Sequence, residues 1–391
     1  MKLDNEAQKQ EETASFFYRK YVEGMTPRRI GEEVHADSAK LIKLYKEAVS
    51  SNSSSYEDDE KTPGHIKLMR LINALGNRLS PGRRLILAAS IFGFLVQNLI
   101  AAPFSILLLI FSFAGILFLL VVELLEKFDA KREIDLAREI QLGLLPSPEF
   151  KTERLSVYSF ASTAREVGGD YVDTIHTERG DYYIIADVSG KGLSASLYMI
   201  RLQALFHLLI KKDQPDPKNL LIEINDFIKY GRSDKTFVTA CVALAPADGG
   251  PLLFCRAGHN IPLFYNKEKE RCKELRSPGI ALGMAPSAKL DQALQQMELK
   301  MDEGDILLMY TDGLTEARNP EGEEYGENRL LSLFELYSDA GPGALLEKIR
   351  VSLEQYIQDA EIPDDITFSV ISRPIKTTYQ LTEGQHTEQE Y

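Results

Sequence analysis

The spacing of apolar residues changes character three times along this chain. Within residues 13–49, Ile30, Val34, Leu41, Leu44 and Tyr45 recur at helical spacing behind Thr26 as a cap and Pro27 at the first helical position. This predicts a small helical segment over 1–50. Helix-turn-helix DNA binders share the spacing, but so do many small helical hairpins, and an assembly or interaction role is the expectation. A polar, acidic linker follows at 51–64, then a short amphipathic helix over 65–84 able to lie on a membrane surface.

Residues 85–122 run 38 positions without a charged side chain. As one helix they would extend about 57 Å, about twice the hydrocarbon core of a bilayer. A hairpin fits better, with one span at 85–101, a turn around 98–103 and a second span at 104–122. A hairpin that dips into the membrane without crossing is the other option. Arg83 and Arg84 flank one end and Lys127, Lys131 and Arg132 the other, which predicts both ends in the cytoplasm of a bacterial inner membrane. A buried helix pair is the bland alternative, disfavoured by so long an uncharged run in a chain with 26% charged residues.

Residues 123–146 lack glycine until Gly143 and proline until Pro146, so helix should continue. Ala130, Ile134, Ala137 and Leu144 share a face, predicting a short dimer helix or a helix docked on its own domain. It could carry a signal onward. From Leu155 the period shortens to that of strands: LSVYSFAS, YVDTIHT and YYIIADV. The helical LSASLYMIRLQALFHLLIKK and a helix near 220–230 come next. FVTACVALA, PLLFCRA, IPLFYN and DILLMY then read as strands, followed by two helices and a last strand, ITFSVIS. The expected class is α+β, with helices covering largely antiparallel sheets over 147–373 and a polar, disordered tail over 374–391.

Charge narrows the partners. Residues 1–83 are balanced, whereas residues 123–391 carry 30 basic against 45 acidic side chains, which disfavours nucleic acid. Three cysteines form no CxxC pair and suit a reducing compartment. Six scattered histidines argue against zinc.

The candidate chemistry lies in four acidic segments: Gly-Gly-Asp at 168–170, Asp-Val-Ser-Gly-Lys-Gly at 187–192, Tyr-Thr-Asp-Gly at 310–313 and Asp-Asp-Ile-Thr at 364–367. Each sets a carboxylate at the edge of a β-like stretch. Singly each reads as a turn with a solvated Asp. As a set, converging carboxylates repel unless protonated or bridged by cations, which implies bound metal. Other readings fail on particular residues. A P-loop would need glycine where Ile185 stands and Ser or Thr where Gly192 stands. Tyr171-Val172 follow Gly-Gly-Asp where a diguanylate cyclase has Glu-Phe. A histidine kinase would need a phosphorylatable His in 123–145, where there is none, and no GxSxG or tyrosine-phosphatase loop occurs.

AREVGGDYVD (164–173), ADVSGKGLSAS (186–196), FVTACV (237–242), AGHN (257–260), YTDGLTEA (310–317) and DDITF (364–368) stand in one order and spacing. In these six motifs the chain resembles the PPM (protein phosphatase type 2C-like) serine/threonine phosphatases of the SpoIIE/RsbU branch. The helix DLAREIQLGLLP (135–146) resembles that branch's lead-in helix, so the likeness covers roughly 130–373.

The resemblance implies two antiparallel β-sheets packed as a sandwich between outer helices, with two Mn²⁺ or Mg²⁺ ions at one end. It implies that Asp187 bridges the ions, that the Val188 carbonyl contacts one, and that Asp312 and Asp364 complete the catalytic set. Asp170 would hold a metal-bound water. Asp365 enters the candidate metal set beside Asp364; Asp364 is favoured because it aligns with the Asp of the family's Asp-Asn-x-Thr form. His259 and Asn260 would give structural support. The expected activity is attack of a metal-activated hydroxide on phosphoserine or phosphothreonine of a regulatory phosphoprotein, such as an anti-sigma-factor antagonist. A homodimer through 123–146 is a further expectation, and a non-catalytic scaffold binding through its N-terminal helices is the alternative.

Overall fold

The computed structural model describes residues 79–100, 103–230 and 236–374. The expected helical segment at 1–50, the linker at 51–64, most of the pre-membrane helix and the tail beyond 374 lie outside them. Between Lys127 and Phe128 the chain divides into two units.

In the first unit, α1 (Pro81–Val96) starts with Pro81, whose missing N–H costs nothing in a first turn. A single 3₁₀ turn at Gln97–Leu99 ends it, and α2 (Phe104–Leu144) begins after Pro103. The two helices pack through small residues: Ser90 and Ser112 are buried, and a Cβ on Gly115 or Gly93 would collide with their hydroxyls. Arg83 closes the open end, donating to Glu126 at 2.7 Å and lying 3.7 Å from Glu123. Elsewhere the helices turn large apolar side chains outward, among them Phe92, Leu95, Leu107, Phe111 and Phe113. The sequence divides at Glu123, where charges resume, but the backbone does not: α2 runs 41 residues without a break.

The second unit is a four-layer sandwich. One sheet has six strands in the order β1 (Glu149–Lys151), β2 (Ser156–Ser162), β11 (Ile366–Ser372), β10 (Ile306–Tyr310), β7 (Leu263–Asn266), β8 (Arg271–Glu274). The other has five: β3 (Tyr171–His176), β4 (Gly180–Val188), β5 (Val238–Pro246), β6 (Leu252–Ala257), β9 (Gln296–Leu299). The strand pairs in both are antiparallel. Helices α3 (Leu193–Asp213) and α4 (Pro217–Tyr230), with the short α5 (Ser287–Ala293), cover the five-stranded sheet. After the one-turn α6 (Asp312–Glu316), α7 (Glu327–Tyr337) and α8 (Pro342–Ile357) cover the other.

Three apolar cores follow from the two-residue period of the strands. On β4, Tyr182, Ile184 and Ala186 meet Met199, Phe206 and Ile224 of the helices, while Tyr183 and Ile185 face the gap between the sheets. On β10, Ile306 and Leu308 face α7 and α8, while Leu307 and Met309 meet Ile185 and Phe254. The same alternation positions the site. Two steps beyond Ile185 comes Asp187, and two beyond Met309 comes Thr311. Two and four residues before Ser369 on β11 stand Thr367 and Asp365. The inner parity of these strands is apolar in the core and turns polar at one end.

Candidate active site

Asp187 is the next-to-last residue of β4, in register with Thr239 of β5. Asp312 stands two residues beyond Tyr310, the end of β10, and opens α6, and Asp364-Asp365 lead into β11. Asp170 comes from the loop before β3. The loops approach so closely that glycine is required at two places. A Cβ on Gly169 would lie 2.9 Å from the Val188 carbonyl, and one on Gly313 would be driven into the Asp365 carbonyl.

The carboxylates sense one another. Asp170 is held well above the usual carboxylate range, first by desolvation and then by the charges of Asp187 and Asp365. Asp187 is pushed up to about 7 by desolvation and then by Asp312, Asp364 and Asp365. Asp312 is raised by desolvation and Asp364, and Asp365 by desolvation with a smaller push from Asp364. Glu316, on α6, is raised by desolvation and then by Asp312. The Lys191 ammonium opposes the rise at Asp187, Asp312 and Glu316. Its Nζ lies 2.7 Å from Asp364 Oδ2.

Two of the predicted residues take positions distinct from the rest. Asp170 accepts the Thr311 hydroxyl at 2.9 Å and a hydrogen bond from the Thr367 side chain. Thr311 Oγ1 in turn accepts the Thr367 N–H at 3.0 Å. The threonines of YTDG and DDIT thus orient the aspartate of the third motif. Asp365 is occupied by the backbone, accepting Ala164 N–H at 2.8 Å and Gly169 N–H at 2.6 Å, so it ties down the loop that carries Asp170. His259 bridges the sheets behind the site. Its Nδ1 lies 2.8 Å from Thr239 Oγ1, its ring is against the Tyr310 backbone, and burial pushes it down to about 3. Its buried Nε2 has no partner among the described residues.

Sequence reasoning missed Gln141. It is 4% exposed, on the inner face of α2, and clamps the peptide of Gly168. Nε2 donates to Gly168 O at 2.7 Å, and Gly168 N donates to Oε1 at 3.1 Å. The C-terminal turns of α2, within the second unit, thereby rest on the loop bearing Asp170. Gln141 stands four residues after Ala137 and three before Leu144, so the face predicted for docking carried the signal.

Among the described residues, no three carboxylate, imidazole or thiolate groups are already gathered about one point at ligand spacing. The donor chemistry is nevertheless that of a hard cation site: carboxylates and a main-chain carbonyl, charged against one another and partly desolvated. Oxygen donors without thiolate or imidazole suit Mg²⁺ or Mn²⁺ rather than Zn²⁺.

The family model described as Stage II sporulation protein E (SpoIIE) matches residues 179–374, half of the chain. The chain belongs to the SpoIIE family. Within it, the chain is a PPM-type serine/threonine phosphatase of the SpoIIE/RsbU branch, as the six motifs imply. It is 25% identical over 247 residues to the phosphoserine phosphatase RsbU of Bacillus subtilis, covering 63% of this chain and 72% of that protein. It is 25% identical over 249 residues to the phosphoserine phosphatase RsbP of the same organism, covering 63% and 59%. Among solved structures, the SiaA-PP2C domain of Pseudomonas aeruginosa aligns with a TM-score of 0.55 at 20% identity, over 63% of this chain and 98% of that one. That likeness carries the fold: two sheets, helices outside.

Proposed function

We propose that this SpoIIE-family chain is a membrane-anchored, metal-dependent phosphoserine/phosphothreonine phosphatase with its catalytic domain, residues 147–373, in the cytoplasm. The observation that carries the reading is the meeting of Asp170, Asp187, Asp312 and Asp364 from four distant segments at one end of the sandwich: Asp187 raises Asp170, Asp312 and Asp364 raise Asp187, and Asp364 raises Asp312 and pairs with Lys191. Such a cluster is costly to keep charged without cations.

Asp187, Asp312, Asp364 and the Val188 carbonyl would hold two Mn²⁺ or Mg²⁺ ions. When bound, the ions supply an activated water and neutralise the phosphate oxygens. The chain's own part is placement. Thr311 and Thr367 fix the rotamer of Asp170, which would orient a water toward the cluster. Asp365 and Gln141 hold the loop beneath Asp170, and His259 braces β5 against the end of β10. No side-chain nucleophile is assigned: Cys241 and Cys255 are buried, with thiols pushed up by desolvation.

The names of RsbU and RsbP support a phosphoserine substrate, and family analogy favours a regulatory phosphoprotein of the anti-sigma-factor antagonist type. The outward apolar surface of α1 and the first half of α2 supports a two-span hairpin at 85–122, in which α2 is long and apolar enough to cross and α1, at 16 residues, would make the shorter span. Helix α3 is also long and apolar, but one face of it fills the domain core. On α2, Ile134, Ala137 and Gln141 turn toward the domain, while Leu136 and Ile140 stay exposed and offer a seam for a second copy. Regulation would pass down the part of α2 at 123–144 to the Asp170 loop.

The test is phosphate release from a phosphoserine protein by the full chain in detergent, with Mn²⁺, with chelator, and with Asp187→Asn. Release that needs Mn²⁺ and disappears in the variant is expected. No release under any metal would favour the scaffold reading. For the hairpin, Ser80→Cys and Ser147→Cys should label from the same side of the membrane; labelling from opposite sides would exclude two crossings.

A further inference from the structure

Lys191 is a charged residue that the proposed chemistry leaves without a task. It sits in the turn between β4 and α3, where Gly190 and Gly192 take φ of 104° and 72°, values that favour glycine. The turn is pinned: Ser189 N donates to Phe237 O at 2.9 Å, and Phe237 N donates back to Ser189 Oγ at 2.9 Å. From this fixed base the side chain crosses to the opposite strand end. Its ammonium donates to the Pro363 carbonyl at 2.7 Å and pairs with Asp364 Oδ2 at 2.7 Å. The other oxygen, Asp364 Oδ1, accepts the N–H of Asp365 at 3.0 Å. Both oxygens of Asp364 are therefore engaged within the chain.

We infer that Lys191 is a built-in counter-cation of the acid cluster, and that a divalent ion reaches Asp364 only by displacing it. The inference rests on the metal-site reading above. Three features fit a displaceable cation. The ammonium sits on a flexible four-carbon stem, the side chain is 44% exposed, and its backbone can stay fixed while it leaves. Its charge also bears on Asp187, Asp312 and Glu316, so it substitutes for part of what bound ions would do across the cluster. The chain thus keeps its carboxylates together without metal, at the cost of weaker metal binding.

The test is Mn²⁺ affinity of the full chain in detergent, read as free Mn²⁺ by electron paramagnetic resonance without substrate. Lys191→Gln keeps the reach and removes the charge, so Mn²⁺ should bind roughly fivefold tighter, the equivalent of a partly exposed ion pair. Lys191→Arg keeps the charge and should stay within about twofold of the parent. Unchanged or weaker binding in Lys191→Gln, or an equal shift in both variants, would overturn the inference. Asp187→Asn separates the two levels of the argument. If Mn²⁺ binding survives that substitution intact, the metal-site reading falls and this inference with it. If binding is lost there while Lys191→Gln changes nothing, only the role of Lys191 is refuted.

Discussion

Replacing Gln141 with Ala tests whether the lead-in helix holds the catalytic loop. The substitution removes two hydrogen bonds, at 2.7 and 3.1 Å, and strands the N–H and C=O of Gly168 in a buried setting. Each bond contributes about 0.5–1.5 kcal/mol, and a stranded buried group costs about 1–3 kcal/mol. Water entering the vacated space recovers part of this, leaving a net loss of about 2 kcal/mol. For a domain of this size that lowers Tm by about 4–8 °C. Asp365 still holds the loop from its other side through Ala164 and Gly169, so the domain stays folded. What loosens is the ordering of Asp170, and about 2 kcal/mol corresponds to up to roughly thirtyfold in activity. Gln141→Glu retains the shape and the acceptor but loses the donor and adds charge beside acids, so it should be at least as damaging. The assay pairs hydrogen exchange of amides 164–170 with phosphate release. Unchanged protection with unchanged activity would refute the clamp.

Other consequences can be checked separately. Thr311→Val removes the hydroxyl that donates to Asp170 and accepts from Thr367, so activity should fall about tenfold or more, with folding retained by circular dichroism. His259 is held near 3 when folded against an ordinary 6.5, so the unfolded chain takes up its proton first. Its contribution is complete above about pH 6.5 and is lost as pH falls toward 3, at up to about 1.4 kcal/mol per pH unit. His259→Asn should flatten that part of the urea-unfolding profile, and an identical slope would contradict the buried neutral imidazole. Gly115→Leu puts a branched side chain where Ser90 lies, so it should separate α1 from α2 and reduce disulfide trapping between cysteines placed at 83 and 126.

Strands with their own apolar run were legible from sequence alone. YYIIADV lies within β4 and ITFSVIS is β11 residue for residue, because each strand is central and buried on both faces. Of the edge strands, β3 was legible as YVDTIHT, whereas β1, β8 and β9 were not. Arg271–Glu274 reads as a polar loop and is a strand only because β7 supplies a partner. The same division holds in the site. The aspartates announce themselves in short motifs at strand ends, whereas Gln141, Lys191, Thr311 and Thr367 act through partners distant in sequence. Thr311 meets Asp170 across 141 positions and Lys191 meets Pro363 across 172, separations that local pattern does not encode. At Glu123 the charges resume and α2 continues regardless, because charge marks where solvent begins and not where a helix ends.

The central claim is that the aspartate cluster is a two-ion hydrolytic centre, and anomalous diffraction from crystals grown with Mn²⁺ tests it most directly. Two anomalous peaks among Asp187, Asp312 and Asp364, with Lys191 withdrawn from Asp364, are the predicted result. No peak there at saturating Mn²⁺, or peaks only elsewhere on the chain, would contradict it.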